Sequence, residues 1–155
     1  MIAGWGAAND AHHVTAPARD GCGLILACRS AFKQAGIDPY QIAAINAHGT
    51  GTVYNDAMEL AAFNELFGEN LPPLHGLKGS LGHCLGAAGG LETVVAVHSL
   101  QSQKIPGTVG CLQPEVAGQG MVSAACQEIS GDYLLCTNSG FGGVNSALVL
   151  QKVML

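Results

Sequence analysis

Two short apolar runs of this chain each lead into a glycine-rich turn that carries one histidine. The first turn reads Asn46-Ala-His-Gly-Thr-Gly-Thr52 and contains His48, and the second reads Lys78-Gly-Ser-Leu-Gly-His83. Short, continuously apolar runs are typical of strands buried in a parallel sheet. Because the binding residues of α/β proteins collect where such strands end, we expect both imidazoles at one edge of a single sheet.

The two imidazoles suit a reaction in which negative charge develops on one oxygen. Two neutral rings can donate two hydrogen bonds to one oxyanion, and the nearby Lys78 can bias the local field. This pattern indicates stabilisation of an enolate or a tetrahedral intermediate, as in acyl transfer. The chain offers no convincing nucleophile opposite the histidine pair.

Charged residues make up only 11% of the chain, whereas 48% of its residues are hydrophobic. Ordinary soluble domains carry about 25% charged residues, so the polar surface here is too small to coat an isolated globule. We therefore expect a large apolar face that meets another chain or the rest of a longer protein. A membrane span is not expected, because polar residues interrupt every apolar stretch well short of ~20 residues.

Charge and cysteine usage exclude several classes of function. The net charge is -5 and the six basic residues are scattered, which argues against nucleic acid as a partner. The six cysteines form no Cys-x-x-Cys pair, and the chain begins without a signal-peptide pattern. We expect free, buried thiols in a reducing cytoplasm and no metal site, since zinc requires several His or Cys at close spacing.

The predicted elements follow the order β-α-β-α-β-α-β-β-β. Apolar runs predict strands at 2–5, 42–45, 74–77, 121–124, 133–137 and 146–150. Apolar periodicity predicts helices at 21–35, 57–67 and 85–103. Gly36 is expected to end the first helix, and a capping box of Asp56 and Glu59 to open the second. This order indicates one α/β domain over residues 1–155, with packed helices on a mixed sheet.

Four motifs together resemble the β-ketoacyl synthases, the condensing enzymes of fatty-acid and polyketide synthesis. The motifs are Asn9-Asp-Ala-His-His-Val-Thr-Ala-Pro17, Ile45-Asn-Ala-His-Gly-Thr-Gly-Thr52 with Asn55-Asp56 and Glu59, Lys78-Gly-Ser-Leu-Gly-His-Cys-Leu-Gly-Ala-Ala-Gly-Gly-Leu-Glu92, and Asn138-Ser-Gly-Phe-Gly-Gly-Val-Asn145. They follow the family's order and cover nearly the whole chain. A single glycine-rich element would carry little weight by comparison.

The resemblance is to the C-terminal half of the family. It implies one half of a thiolase-like fold, in which the N-terminal half carries the nucleophilic cysteine in a Thr-Ala-Cys-Ser-like turn. No cysteine of this chain has that context, and Cys84, directly after His83, is interpreted as a small core thiol. The N-terminal ketosynthase half is then an expected partner, either fused to this chain or separate.

The resemblance assigns the acid–base chemistry to four side chains. His48 and His83 would donate hydrogen bonds to the malonyl thioester oxygen and stabilise the enolate left when CO₂ departs. Each ring would be neutral with its proton on Nε2, so its Nδ1 would accept a hydrogen bond or be masked by a local backbone group. Lys78 would supply positive charge beside His83, and Glu92 resembles the acid that pairs with this lysine.

Other residues match the family's binding elements. Thr50 and Thr52 resemble the hydroxyls that hold the phosphopantetheine arm, and Thr15 belongs to a matching His-x-Thr-x-Pro element. Phe141 resembles the gate of the acyl pocket, and its backbone N–H resembles part of an oxyanion hole. The supporting residues of these motifs are Asn46, Glu92, Gly140 and Gly142. The turn around Phe141 is one residue shorter than is usual in the family, which puts the acyl-chain selectivity in question.

The implied activity is acyl transfer by decarboxylative Claisen condensation of a malonyl group with an acyl-enzyme. The acyl carrier protein is the implied partner, its phosphopantetheine arm carries the substrate, and no further cofactor is implied. A dimer is also expected. Without the cysteine-bearing half, the chain alone should be inactive in condensation, and it should associate or be poorly soluble.

Several alternatives stay open. The chain can be a non-catalytic ketosynthase-like partner of the chain-length-factor type, although such subunits typically lose the histidines retained here. It can also be a thiolase, another thiolase-fold acyltransferase, or a truncated or split gene product. At single positions, Lys78 and Glu92 can form an ordinary surface ion pair, and Phe141 can plug a core. The other histidines are interpreted as structural or loop residues: His12, His13, His75 and His98.

Overall fold

A five-stranded mixed sheet forms the centre of the computed structural model, which describes residues 1–153. The strand order is β1-β7-β6-β2-β3. The bounds of these strands are β1 Ile2–Asn9, β2 Ile42–Ala47, β3 Leu74–Gly76, β6 Tyr133–Gly140 and β7 Val144–Gln151. β2 is parallel to both β3 and β6, whereas β7 is antiparallel to both β6 and β1. The central strands β2 and β6 therefore end at the same edge, where the site is expected.

Helices cover both faces of this sheet. Their bounds are α1 Cys22–Ala35, α2 Val53–Phe67, α3 Lys78–Leu81 and α4 Ala88–Ser102. α1 and α2 pack on one face around buried side chains such as Leu24, Ile45 and Phe63. α4 packs on the other face around a smaller core that includes Leu100 and Leu134. No helix within the described residues is long and apolar enough to cross a membrane.

The second helix begins earlier than predicted, and its predicted capping box is wrong. α2 starts at Val53, directly after Thr52, and no side chain caps its first turn. Glu59 is buried at 2% exposure, and its carboxylate binds backbone N–H groups beyond the end of β2. The spacing of Asp56 and Glu59 imitates a capping box, but burial of Glu59 on the apolar stripe of α2 determines its contacts.

The predicted strand at 121–124 is also wrong. Val122 makes one isolated parallel bridge to Leu74, and the segment is otherwise irregular. β3 is only three residues long, and Val122 pairs with the first of them. A second pair of short strands, β4 Lys104–Ile105 and β5 Gln127–Glu128, forms a separate antiparallel ribbon that the sequence did not predict.

The remaining helices confirm the predicted pattern with small shifts. Gly36 ends α1 in a left-handed conformation with φ 67°, as its C-terminal position predicted. A short turn over Leu85–Ala87 precedes α4, so the third predicted helix starts three residues late as an α-helix. Of the glycines near its start, Gly89 faces the sheet, where an added Cβ would lie 3.3 Å from Nδ2 of Asn138. The same atom on Gly90 would meet open space.

Candidate active site

The first glycine-rich turn leaves the end of β2 and presents His48 one residue later. His48 is buried at 6% exposure, and Gly49 after it adopts a left-handed φ of 51°. The backbone N–H groups of these two residues donate to Oε1 and Oε2 of Glu59 at 2.7 and 2.8 Å. One carboxylate of α2 thus fixes the direction in which the turn leaves the sheet.

Glu59 completes its hydrogen bonding with two side chains. Nδ2 of Asn55 donates to its Oε2 at 2.8 Å, and Oγ1 of Thr137 donates to its Oε1 at 3.3 Å. Burial raises the pKa of Glu59 above its ordinary value, and the hydrogen bonds from the turn oppose that shift. The sequence analysis missed this role. A readable signal was present, because Asn55, Glu59 and Phe63 are spaced by four on the buried stripe of α2.

The structure brings the two site histidines together. The ring centroids of His48 and His83 are 5.5 Å apart, and the rings meet edge to face at 82°. His83 follows α3 on the turn before α4, and its side chain is exposed in this chain. The backbone N–H of Leu85 donates to Nδ1 of His83 at 3.1 Å, so this ring carries its proton on Nε2 when neutral.

The Nδ1 of His48 meets two side chains, whereas that of His83 meets a backbone N–H. Nζ of Lys78 and Oδ1 of Asn138 each lie 3.2 Å from that nitrogen. Burial, together with the charge of Lys78, lowers the pKa of His48 to about 4. His48 is therefore neutral near pH 7.

Lys78 lies beside the first histidine. Its Nζ donates to the carbonyl oxygen of His48 and to Oε1 of Glu92, the latter at 2.6 Å. The side chains of Lys78 and Glu92 are only 6% and 3% exposed, so the surface ion-pair alternative is wrong. The lysine comes back to β2 because α3 starts directly after the neighbouring strand β3, which is parallel to β2.

Asn138 joins the same network from β6. Its Nδ2 donates to Oε2 of Glu92 at 2.9 Å, and this contact turns its Oδ1 toward His48. The four side chains therefore form a closed ring of contacts: His48, Lys78, Glu92 and Asn138. The sequence analysis included Asn138 in a matching motif but assigned it no role. The residues around Asn138 do not indicate that β6 lies next to α4.

An open cavity of about 620 Å³ adjoins the histidines. Its polar part includes Thr50, Thr52, Lys78 and His83, while Leu60, Phe63 and Val122 contribute apolar wall. The hydroxyls of Thr50 and Thr52 are 2.7 Å apart, so they also shape their own turn. His48 lies behind this wall, and its chain neighbours Ala47 and Gly49 line the cavity.

A second group of predicted residues lies outside the cavity lining. Gly140 ends β6, and Phe141 and Gly142 lie in the turn that leads to β7. Phe141 is 80% exposed in this chain and does not line the cavity. The backbone N–H of Gly142 donates to the carbonyl oxygen of Val14 at 2.7 Å. The backbone N–H of Thr15 in the same loop donates to Nδ1 of His13 at 3.1 Å.

Two further polar side chains near the site are buried between strands. Asn46 and His75 are fully buried neighbours on β2 and β3, and neither Oδ1 of Asn46 nor either ring nitrogen of His75 has a partner among the described residues. Burial lowers the pKa of His75 to about 4. Within residues 1–153, no cluster of His, Cys, Asp and Glu could hold a metal ion.

The cysteines are free thiols, as predicted, but only some of them are buried. Cys28 and Cys136 lie in the two cores, and burial raises the pKa of both thiols above the ordinary value. Cys84, expected in the core, is half-buried, and Cys22 and Cys126 are exposed.

Comparison with known proteins identifies relatives of this chain. A family model described as the C-terminal domain of β-ketoacyl synthases matches residues 1–112. The 3-oxoacyl-[acyl-carrier-protein] synthase 2 of Vibrio cholerae serotype O1 is 35% identical over 157 residues, which cover 98% of this chain and 38% of the relative. The chain thus spans less than two fifths of that relative's length.

Solved structures of ketosynthases share the fold. One contains a type II PKS acyl-carrier protein in complex with its ketosynthase bound to the hexaketide; it is 29% identical with a TM-score of 0.93, covering 99% of this chain and 38% of that chain. Another is the ishigamide ketosynthase/chain length factor, 32% identical with a TM-score of 0.92, covering 99% and 38% respectively. The predicted fold class, one half of a thiolase-like α/β architecture, is confirmed.

Proposed function

The chain belongs to the family of β-ketoacyl synthase C-terminal domains, and from that premise we propose that it is the C-terminal half of a β-ketoacyl-ACP synthase. In this function, His48 and His83 stabilise the enolate formed when a malonyl thioester loses CO₂. The observation that carries the proposal is the edge-to-face pair of rings, 5.5 Å apart beside an open cavity.

The hydrogen bonds around each ring support donation from Nε2. His83 accepts the Leu85 N–H at Nδ1, which leaves its Nε2 proton free for substrate. For His48, Lys78 and Asn138 compete at Nδ1, and they favour opposite tautomers. The ammonium donor prevails, because a charge-assisted hydrogen bond is roughly twice as strong as a neutral one. Both rings then offer an Nε2 proton to the same developing oxyanion.

Lys78 acts through His48 in this mechanism. Its three protons face three acceptors: the His48 carbonyl oxygen, Nδ1 of the same ring and Oε1 of Glu92. This arrangement holds the ring in one orientation and keeps it neutral, since a second positive charge beside the ammonium is unfavourable. Glu92 compensates the charge of the lysine where both side chains are largely buried.

The cavity suits the arm that delivers the substrate. Thr50 and Thr52 offer hydroxyls at its polar wall, next to His83, as binding of a phosphopantetheine arm requires. The acyl carrier protein is the proposed source of that arm. The acyl group would be held on a cysteine in the part of the relatives that this chain does not span. Thr15, Phe141 and the glycines beside it are proposed to contact the acyl side of the completed site.

Malonyl decarboxylation tests the proposal directly. In a complete ketosynthase containing this chain, we expect His48→Ala or His83→Ala to reduce CO₂ release from malonyl-ACP by about 100- to 1,000-fold, the effect of losing one oxyanion donor. His98→Ala is the matched control, because His98 is exposed on α4 outside the site. Unchanged CO₂ release in either site variant would refute the proposed roles.

A non-catalytic role is the second candidate, since one of the similar solved structures is the ishigamide ketosynthase/chain length factor. The retained histidine pair and its buried lysine favour catalysis over that role. The same assay separates the two. A complete protein that releases no CO₂, yet changes the product length made by an active ketosynthase, would support the non-catalytic function.

A further inference from the structure

Leu85 has a backbone conformation that leucine rarely adopts. Its φ of 50° lies in the left-handed region, where Cβ comes too close to a backbone oxygen. Within residues 1–153, the other non-glycine residues with positive φ are Ala11 in the loop after β1 and Gln103 directly after α4. The end of a helix is a common place for this conformation. Leu85 instead opens the short turn before α4, and its side chain is 79% exposed, so packing of that side chain does not compensate the strain.

The peptide group between Cys84 and Leu85 is held at both ends. Its N–H donates to Nδ1 of His83 at 3.1 Å. Its carbonyl oxygen accepts the N–H of Ala87 at 3.0 Å, inside the turn that leads to α4. Because a trans peptide is planar and its N–H and C=O point in opposite directions, this one group connects the His83 ring to the entry of α4.

The contact with the ring does not by itself require a left-handed residue. The backbone N–H of Thr15 donates to Nδ1 of His13 at 3.1 Å, with the same spacing of two residues, and Thr15 is not among the residues with positive φ. What differs at Leu85 is the path that follows. The chain has to enter α4 at Ala88, only three residues later, and the left-handed conformation turns it there directly.

The start of α4 is not free to move and relieve this strain. Ala88 and Glu92 are 5% and 2% exposed. The carboxylate of Glu92 binds Nζ of Lys78 and Nδ2 of Asn138, and Leu100 lies further along the helix in the core. A change of φ at Leu85 therefore leaves the helix in place and turns the peptide group away from His83.

We propose that Leu85 is a positioning residue of the site, whose left-handed backbone lets one peptide group hold the His83 ring while the chain turns directly into α4. The inference rests on the proposed function, in which the Nε2 proton of His83 faces the developing oxyanion. His48 is held at Nδ1 by two side chains. The exposed ring of His83 depends, among the described residues, on the single N–H of Leu85.

A substitution series at Leu85 in a complete ketosynthase containing this chain tests the role. Leu85→Gly and Leu85→Asn keep the backbone, since glycine and asparagine tolerate the left-handed region, whereas the β-branched side chain of Leu85→Val disfavours it. Leu85→Asn and Leu85→Val both shorten the side chain, so a lost side-chain contact would affect them alike.

Release of CO₂ from malonyl-ACP supplies the first measurement. We expect Leu85→Val to lower kcat by about 10-fold, less than the loss of a whole oxyanion donor, with KM unchanged. Leu85→Gly and Leu85→Asn should stay within about 3-fold of the unsubstituted enzyme. Leu26→Val, at a position of α1 that is 56% exposed, is the matched control and should leave kcat unchanged. Equal kcat values for Leu85→Val and Leu85→Asn would overturn the proposal.

A double-mutant cycle with His83→Ala shows whether Leu85 acts through the ring. With the ring absent, Leu85→Val should lower kcat by less than about 2-fold further. A general disturbance of the structure would instead lower kcat by the same factor in both backgrounds, and that result would overturn the proposal.

The tautomer of His83 supplies a measurement that does not depend on activity. In protein labelled with ¹⁵N-histidine, the His83 signals are those lost in His83→Ala. The unsubstituted protein and Leu85→Asn should show the Nε2-protonated tautomer, and Leu85→Val a mixture with the Nδ1-protonated one. Replacement of the Cys84–Leu85 amide by an ester removes the N–H while the leucine side chain stays, and it should give the same mixture.

The two measurements separate the two proposals. An unchanged tautomer in both Leu85→Val and the ester would refute the positioning role. A tautomer mixture in those proteins, together with unchanged CO₂ release in His83→Ala, would support the positioning role while refuting the proposed function.

Discussion

The carboxylate of Glu59 accepts the backbone N–H of His48 at 2.7 Å, so a residue in the middle of α2 holds the turn at the end of β2. The same carboxylate accepts the N–H of Gly49 at 2.8 Å. No cation of the described residues pairs with Glu59; neutral donors surround it. The position of the first site histidine thus depends on a group eleven residues away.

Replacement of this carboxylate should destabilise the fold. Glu59→Ala leaves the buried N–H of His48 and the half-buried N–H of Gly49 without their acceptor, and we expect the free energy of unfolding to fall by about 2–5 kcal/mol. Glu65→Ala is the control on the same helix, because it removes only the exposed pair with Arg29 and should change that free energy by less than about 1 kcal/mol. Urea denaturation measures both. Equal effects of the two substitutions would contradict the buried role of Glu59.

Removal of one partner of the buried Lys78–Glu92 ion pair should also destabilise the fold. Glu92→Ala leaves the ammonium of Lys78 buried without a counter-charge, and we expect a loss of about 3–5 kcal/mol in the free energy of unfolding. Glu128→Ala is the matched control, because its contact with Lys104 at 3.5 Å is exposed. Thermal and urea unfolding give the comparison. A loss below about 1 kcal/mol for Glu92→Ala would show that water reaches the pair.

Acid should weaken the fold through two buried histidines. The pKa values of His48 and His75 are lowered from 6.5 to about 4, mainly by burial. Between these values the unfolded chain binds protons that the folded chain does not, so the free energy of unfolding should fall as the pH drops from about 6.5 toward 4. Urea titrations at several pH values measure this slope.

Substitution of His75 isolates its share of that slope. His75→Leu should make the pH dependence shallower, and at pH 7 it should change stability by less than about 1 kcal/mol, because the ring has no hydrogen-bond partner among residues 1–153. His98→Gln should leave the slope unchanged, since His98 is exposed. An unchanged slope in His75→Leu would mean that His75 does not stay neutral in the folded chain.

Adjacent glycines near the start of α4 should respond differently to alanine. Gly90→Ala adds a side chain in open space, and we expect the isolated chain to gain up to about 1 kcal/mol from better helix propensity. Gly89→Ala places its Cβ 3.3 Å from Nδ2 of Asn138, which should cancel that gain and disturb the contact with Glu92. Denaturant unfolding of the two variants provides the test.

Much of the fold could be predicted because local patterns agree with it. The apolar period of α1 and its final Gly36 defined that helix, and the apolar runs of β2 and β6 identified buried strands. The start of α2 could not be found, because Val53 and Tyr54 are exposed apolar residues that give no helical stripe. Position 122 looked like a strand, but among the described residues Val122 makes only an isolated bridge to Leu74.

The positions of the site histidines could be predicted, because they follow from where two strands end. The side chains that contact them from other elements could not be predicted. Two histidines after two parallel strands were expected at one sheet edge, and their rings lie 5.5 Å apart. The resemblance placed Lys78 beside His83; in the folded chain its Nζ also lies 3.2 Å from Nδ1 of His48, a contact that no local pattern indicated. The contacts of Glu59 and Asn138 with other elements have no local signature, so only the folded chain reveals them.

The closed ring of contacts through His48, Lys78, Glu92 and Asn138 has an evolutionary consequence. Each of the four side chains contacts two others. A substitution at one position should therefore change the energetic effect of a substitution at the others, so that the effects do not add. These positions should therefore drift as one unit. A protein of this family that loses the reaction can then accept substitutions at all four positions. A protein that keeps the reaction should accept substitutions at none of them.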